Sequence, residues 1–597
     1  MTFEDFCITL SRIEATTLRL EMTRLLAELF NTLSEDEIEP VCWLLLGRLA
    51  PLYENLEFNF AEKMMMRTLA EFVDHKALND TRDNQTEQLG LLSTDVKVKA
   101  IAYVQAQFKE TGDIGDVTEI LFAKFQQKKK DVRSVAEVYA ALRVIAEEGG
   151  GGSQDRKLRK TFNVLSLCTA QTAKYVVRIV LGTLRLGFSD MTMLDALSWA
   201  KKGDKSLRKA LELAYQVKAD IGKLARVVLT RGEKGLNAFE IELGIPIAPA
   251  LCQRLKTADE MIEKMGKVFV EPKYDGTRVL IHFNRNGKDW QVRTFTRNLE
   301  ESSGMFPELQ SALSQLHVDE IILDSEAVGY DPETDKLLPF QLTIQRKRKH
   351  DVAETALKIP LRFFVFDVLY VDGKNIVHIP LHERKKILNN ILLGADSTFV
   401  NSPTLVTENA EALRKYHAAQ LGNGLEGVVI KQYASEYQPG RRGWSWVKFK
   451  EEEGSTGKLS DTLDCVVMGY YKGQGKRTSF GIGAFLVGVY DEKSDTFRTV
   501  AKIGTGLSDE QWREMKVRCE RLSSSGAPKN YIVAEPLIPD VWTKAALVVE
   551  VAADEITNSP THSAEKALRF PRLVRIRDDK GPGQATTLQE LRAITMA

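Results

Sequence analysis

The period of the apolar residues changes along this chain, and that change limits the fold more than any other feature. Up to about residue 240, segments such as LRLEMTRLLAELFNTL and KYVVRIVLGTLRLGF place apolar residues three and four apart, the spacing of helices with one buried face. Prolines in IELGIPIAPAL mark a boundary. Beyond it come short β-rich runs, KVFVEPKYDG, TRVLIHF, WQVRTFT, EIILDSEAVGY, LRFFVFDVLYV, LEGVVIKQY and WSWVKFK, among helical stretches. A third texture begins near 456, with DTLDCVVMGYYKG, AFLVGVYD, TFRTVAKIGTG and ALVVEVAADEI around one helical segment, SDEQWREMKVRCERL. The expectation is a multidomain chain: all-α over 1–240, α+β over 241–455, and over 456–597 a small β fold that suits an OB-type barrel among others. A length of 597 residues agrees with three or four cores.

Charge enters because the totals mislead. Lys plus Arg and Asp plus Glu both number 82, a balance that argues against a polyanionic partner. Yet Met1 to Ile120 holds 11 basic against 22 acidic residues, and Leu121 to Glu240 holds 23 against 12. Such polarity suits a domain with an acidic back and a basic face, or self-association through opposite charges. The six cysteines are scattered without a CxxC, which fits a reducing compartment. No apolar run approaches a membrane span, and MTFEDFCITLSRIE is acidic where a signal peptide is basic, so a cytoplasmic protein is expected.

There is no Walker A loop and no GxGxxG after a strand, so a bound nucleotide must be held otherwise. In Glu271-Pro272-Lys273-Tyr274-Asp275-Gly276-Thr277-Arg278 a lysine ends an apolar strand beside a carboxylate. Partial burial would free its amine as a nucleophile, although the string also suits a β-turn with a surface lysine. In IILDSEAV the two-residue period puts Asp324 and Glu326 on one strand face, and LEGVVIK starts a strand with Glu426; these offer oxygen ligands for magnesium, or edge positions facing water. Trp446-Val447-Lys448-Phe449-Lys450 puts two lysines on one face, with Arg441 and Arg442 just before. In FFVFDVLY one aromatic could stack on a base, and nothing separates Phe364 from Phe366. LRFPRLVRIRDDK alternates basic and apolar residues, as a polyphosphate-binding strand or a nucleic-acid groove wall would. The run Gly149 to Gly152 before QDRKLRK reads either as a linker or as a phosphate cradle at a helix start.

The segments KYDGTR, FTRN, DSEAVG, FVFDVLY, EGVVIK, WVKFK and RIRDDK occur in an order and rough spacing that resemble the covalent nucleotidyltransferases: ATP-dependent DNA ligases, RNA ligases and capping enzymes. The match is closest to ATP-dependent DNA ligases of the archaeal and eukaryotic replicative type, through PFQLTIQRKRKH and, in the helical block, TGDIGDVTE, VAEVYAALRVIAEEGGGGSQDRK and YVVRIVLGTLRLGFSD. The resemblance implies a helical DNA-binding domain over 1–240, an adenylation (nucleotidyltransferase) domain over 241–455 and an OB-fold domain over 456–597. It implies that Lys273 attacks ATP and carries AMP, that Glu271 and Phe366 read and stack the adenine, and that Glu326 meets the ribose and a metal. Arg278, Arg297 and Arg442 match nucleotide or 5′-phosphate contacts, Glu426 a metal ligand, Lys448 and Lys450 the α-phosphate, and Arg577, Asp578 and Lys580 the leaving pyrophosphate.

ATP and magnesium, with manganese as an alternative, are then the expected cofactors, and nicked duplex DNA the partner of a monomer acting in replication, repair and recombination. A sliding clamp is a further candidate, for which Gln88 to Leu92 is a poor peptide match. The resemblance also moves the glycine run from linker toward DNA contact. Lys128 to Lys130, Arg156 to Lys160 and Lys201 to Lys209 become candidate phosphate contacts, with binding that weakens steeply with salt. Removing 566–597 should abolish self-adenylylation and spare sealing of a pre-adenylylated nick. An RNA ligase or capping guanylyltransferase shares the core motifs but is not expected to carry the helical block. A silent DNA-binding scaffold is opposed by every charged motif position being present.

Overall fold

The computed structural model describes the chain apart from residues 81–95, 126–129, 315, 348–351, 393–397, 441–442, 451–461, 474, 554 and 597. Two compact units emerge, one of Met1–Lys97 with Thr118–Glu451, the other of Val98–Val117 with Glu452–Ala597.

Helices follow one another from Phe3–Glu14 to Glu233–Leu236, and among the described residues the first strand is Gln253–Arg254. Local signals set their ends: Ser134 accepts from the Glu137 N–H while the Glu137 side chain returns to Ser134, starting Val135–Ala146. Asp220 caps Ile221–Arg231 in the same unit, and its other oxygen accepts from Tyr53 Oη at 2.6 Å. Tyr53 itself is buried in a cluster with Ile245, Ile247, Leu280, Phe295 and Ile322, so a helical-region residue is packed into the β-rich part that follows.

That part contains two sheets. The first has the order Gln253–Arg254, Trp446–Lys450, Gly427–Gln432, Val268–Pro272, Leu405–Thr407; the second runs Val292–Thr296, Thr277–Asn284, Glu320–Gly329, Leu361–Val371, Lys374–Asn375, with Phe399–Asn401 beside Leu361–Val371. Neighbouring pairs are antiparallel except Gln253–Arg254 with Trp446–Lys450 and Phe399–Asn401 with Leu361–Val371. Val279, Ile281, Leu323, Phe363 and Val365 fill a core on one face of the second sheet.

In the second unit, Leu463–Tyr471 lies between Ala484–Asp491 and both Val541–Thr543 and Val548–Ala552, and Val548–Ala552 also pairs Arg572–Ile576. The pairing skips Met468, and a Cβ on Gly469 would meet Pro539 Cγ at 2.5 Å and the Val541 carbonyl at 2.7 Å. The strand bends where a side chain would not fit, and the sheet curls around a core that includes Phe485, Val487, Val549, Leu573 and Trp512. Trp512 comes from the helix Asp509–Arg521, the segment whose helical period stood out among the strands.

Candidate functional site

One sheet face gathers most of the chemistry-bearing residues. On the strands Val268–Pro272, Gly427–Gln432 and Trp446–Lys450, the residues Val268, Val270, Val428, Ile430 and Val447 pack against Met261, Met265 and Leu413. The two-residue period therefore turns Glu271, Gly427, Val429, Lys431, Trp446, Lys448 and Lys450 the other way, and Lys273 continues the series just past its strand. Glu271 faces Val429, which faces Lys448. The Lys273 N–H donates to the Gly427 carbonyl at 2.9 Å, and Gly427 faces Lys450. Glycine is required here: its φ is +128°, and a Cβ would lie 2.3 Å from the Phe449 carbonyl. With no side chain between them, Lys273 and Lys450 reach the same carboxylate.

That carboxylate is Glu426, paired with Lys273 Nζ and, at 2.7 Å, with Lys450 Nζ. Burial pushes its pKa up, but the two ammoniums outweigh burial and hold it at about 2. Lys273 remains 24% exposed, so a substrate can reach it. Lys448 is pushed down by burial and by the charges of Lys450 and Lys273.

Beneath this layer lies a buried one. Glu271 is 3% exposed, with Oε2 accepting from Lys431 Nζ at 2.7 Å and Oε1 lying 2.5 Å from Lys385 Nζ. The Lys431 ammonium sits 4.3 Å from the Phe366 ring centroid and 4.1 Å from that of Trp446, and burial lowers its pKa. Arg384, next to Lys385 on the helix Leu381–Leu392, clamps Asp367 through Nε at 2.8 Å and Nη2 at 2.9 Å. Lys431 closes a motif whose alternation already aimed it at this face. Lys385 and Arg384 carried no sequence signal, because only the docking of their helix brings them near.

The second sheet supplies Arg278, Asp324, Glu326 and Phe366. Arg278 faces Glu326 across the strand pair but spends its guanidinium elsewhere, on Asp324 at 3.0 and 2.6 Å and on the Ala250 carbonyl at 2.7 Å. The Asp324 carboxylate thus meets a cation, and Tyr437 Oη donates to it at 2.7 Å. Glu326 is half-buried, and burial pushes its carboxyl up to about 7 although Arg278 and Lys273 pull the other way. Phe364 and Phe366 part company for a backbone reason. Ser325 pairs with Val365 and Asp324 with Asp367, so Phe366 is skipped and the alternation shifts. Phe364 stacks on Tyr274 at 4.0 Å in a buried cluster, whereas Phe366 stays partly exposed beside Lys431 and Arg278.

Arg297 is exposed at the turn after Val292–Thr296, and Arg442 lies outside the described residues, as do Arg441, Lys128, Lys129 and the segment Gln88 to Leu92. Arg577 and Lys580 belong to the second unit, where both bind Asp464. Asp578 is exposed and paired with Arg518 at 2.5 Å.

The candidate DNA contacts need correction at Lys157, which is buried and donates to the Phe58 carbonyl at 2.6 Å. Its spacing resembled its neighbours', but the helix Ser153–Ser166 turns it into the core. Arg156 and Lys160 both pair with Glu148, Lys205 and Arg208 with Asp195, and Lys202 with Glu233. Lys130, Arg159 and Lys209 are exposed. The glycine run is a turn rather than a tether: Gly150 and Gly152 have φ of +76° and +69°, and Arg156 donates back to the carbonyls of Gly149 and Gly151.

An accessible amine, a shared carboxylate and clustered cations suit transfer of a group carried on phosphorus. Family descriptions match in three consecutive parts, "DNA ligase N terminus" over residues 2–198, "ATP dependent DNA ligase domain" over 249–450 and "ATP dependent DNA ligase C terminal region" over 478–580. A "Probable DNA ligase" of Dictyoglomus turgidum is 39% identical over 99% of this chain and 97% of its own. "DNA ligase 1" of Methanosarcina acetivorans is 34% identical, covering 99% and 98%. A solved structure described as "Pmar-Lig_Pre." shares the fold with a TM-score of 0.54 at 15% identity, covering 96% of this chain and 99% of that one. The chain belongs to the ATP-dependent DNA ligases, enzymes that use ATP to seal nicks in DNA. Among the described residues no helix is long and apolar enough to cross a membrane.

Proposed function

We propose that Lys273 is the nucleophile of a three-step nick-sealing reaction. The carrying observation is its position: an accessible amine at a strand end, sharing Glu426 with Lys450 on a face that also presents Lys448. In step one Lys273 Nζ bonds to the α-phosphorus of ATP and the bond to pyrophosphate breaks. In step two a 5′-phosphate oxygen at a nick takes the AMP and frees the amine. In step three the 3′-hydroxyl attacks that phosphate and AMP leaves. Lys448 and Lys450 neutralise the nonbridging oxygens. Phe366 stacks the adenine and Glu271 fixes its orientation from below. Arg278, Arg297 and Arg442 serve as nucleotide or 5′-phosphate contacts.

Glu326 and Glu426 suit magnesium, which favours one or two carboxylates completed by substrate phosphates, and manganese would accept the same oxygens. When bound, the ion would spread the triphosphate's charge. Arg577 and Lys580, with Asp578, orient the pyrophosphate in step one and withdraw afterwards. Removing 566–597 is a poor test of that role, since Leu568, Leu573, Leu588 and Leu591 are core residues of the curled sheet. Point variants separate motif from core. The reading extends to domains over 1–240, 241–455 and 456–597, an OB-type fold for the last, replication, repair and recombination as settings, and a cytoplasmic monomer with a sliding clamp as a further partner. The test is incubation with labelled ATP and magnesium followed by peptide mapping: label on Lys273 is expected, and label on another lysine overturns the assignment.

A further inference from the structure

The cations of the RIRDDK motif are not loose. Asp464 lies on Leu463–Tyr471, and three neighbouring strands set Asp464 opposite Glu550 and Glu550 opposite Arg575. The Asp464 backbone is tied twice to Thr586, its N–H donating to Oγ1 at 2.9 Å and its carbonyl accepting at 2.8 Å. From this fixed point its carboxylate accepts from Arg577 Nη1 at 3.0 and 3.3 Å and from Lys580 Nζ at 2.6 Å. Asp579 grips the other side of Arg577, taking Nε at 2.8 Å and Nη2 at 2.7 Å. Arg577 and Lys580 meet at one oxygen, Asp464 Oδ2, which keeps their nitrogens within about 6 Å of each other. Two like charges that close repel unless a carboxylate lies between them.

We propose that Asp464 is a positioning residue for the adenylylation step, holding Arg577 and Lys580 side by side so that together they receive one diphosphate. The donors left over suit that purpose. Arg577, whose side chain is 13% exposed, turns Nη1 to Asp464 and to Glu550 at 3.6 Å but keeps one N–H on Nη2, and Lys580 keeps two on an ammonium whose side chain is 31% exposed. Asp464 touches neither substrate nor reacting atoms in this scheme; it acts through the two cations. The inference rests on the proposed pyrophosphate role of Arg577 and Lys580.

The test uses the full chain carrying Asp464→Asn, Asp464→Glu or Lys580→Ala. Three reactions are followed: adenylylation of Lys273 across ATP concentrations, its reversal by added pyrophosphate, and sealing of a pre-adenylylated nick. Loss of a residue that orients a metal's ligands costs about 10–100-fold, and the same scale is expected for a residue that orients two phosphate-binding cations. Asp464→Asn is therefore expected to slow adenylylation at saturating ATP and its reversal by the same factor of about tenfold or more, while sealing of the pre-adenylylated nick holds within about twofold. Asp464→Glu should recover part of the loss. Unchanged or faster adenylylation by Asp464→Asn would overturn the inference, because a carboxylate that merely sequesters the cations would inhibit. Equal loss in all three reactions would overturn it too, as a sign of structural damage. If Lys580→Ala leaves adenylylation intact, the underlying pyrophosphate reading fails; if only Asp464→Asn does, the reading stands and Asp464 has no positioning role.

Discussion

The Lys273 site and the RIRDDK motif both gather cations around carboxylates, yet they are built differently. Around Lys273 the visible charges rest on a second layer, Glu271 with Lys431 and Lys385 and Asp367 with Arg384, in which every member is at most 6% exposed. Around Arg577 the arrangement is mixed: Asp464 and Glu550 are partly buried, whereas Asp579 is exposed, as are the flanking Asp578 and, at 64%, Arg575. Buried ion pairs are costly to break, so their geometry is held; exposed pairs exchange at little cost. A site proposed to make and break bonds at phosphorus gains from the first construction. A motif proposed to act in one step and be absent from the next combines a centre anchored at Asp464 with a rim that exchanges.

The widest separation between the two comes from the proposed nucleophile. Lys273→Ala should remove self-adenylylation by a factor on the order of 10⁶, read from labelled AMP on the protein, whereas no single motif cation should approach that loss. Next is the buried layer: Arg384→Leu strands Asp367 without its partner and should cost about 3–5 kcal/mol in denaturant unfolding, and a loss under about 1 kcal/mol would refute the rigid-layer account.

Acid should then act on the Lys273 site's unit through His282, which lies on the same strand face as Arg278, accepts from the Gly244 N–H at 3.1 Å and is fully buried. Burial, and then the charge of Arg293, pushes its pKa down to about 3. The unfolded chain binds a proton near 6.5 that the folded chain refuses, so stability falls as pH drops below about 6.5, by about 2 kcal/mol at pH 5. His282→Gln should flatten this slope in pH-dependent unfolding; an unchanged slope would place the acid sensitivity elsewhere. The smallest effect belongs to the motif: Arg575→Ala, losing its 2.6 Å pair with Glu550, should change stability by no more than about 0.5 kcal/mol in the same assay.

Much of the site was legible because strands alternate. The run VFVEPKYDG placed Lys273 at the end of an apolar strand, WVKFK placed Lys448 and Lys450 together, and the change of period near residue 240 separated helical from β-rich parts. Alternation failed where the backbone departs from it. Phe366 could not be told from Phe364, since the skipped pairing at Phe366 depends on how Leu361–Val371 meets its neighbour. Pairing of charges was invisible as well. Arg278 read only as a nucleotide or 5′-phosphate contact, with no signal of its pairing with Asp324; Lys157 read as a DNA contact and is buried against Phe58.

The sequence by itself determined which residues share a strand or helix face, because that follows from fixed rises and turns of the backbone, and it determined the family through motifs in order. Only the tertiary structure decided which charges meet. Glu426 between Lys273 and Lys450, Glu271 between Lys431 and Lys385, and Asp464 between Arg577 and Lys580 each join residues far apart in the chain. A charge's state depends on burial and on partners a few ångströms away, and sheet pairing and helix docking set both.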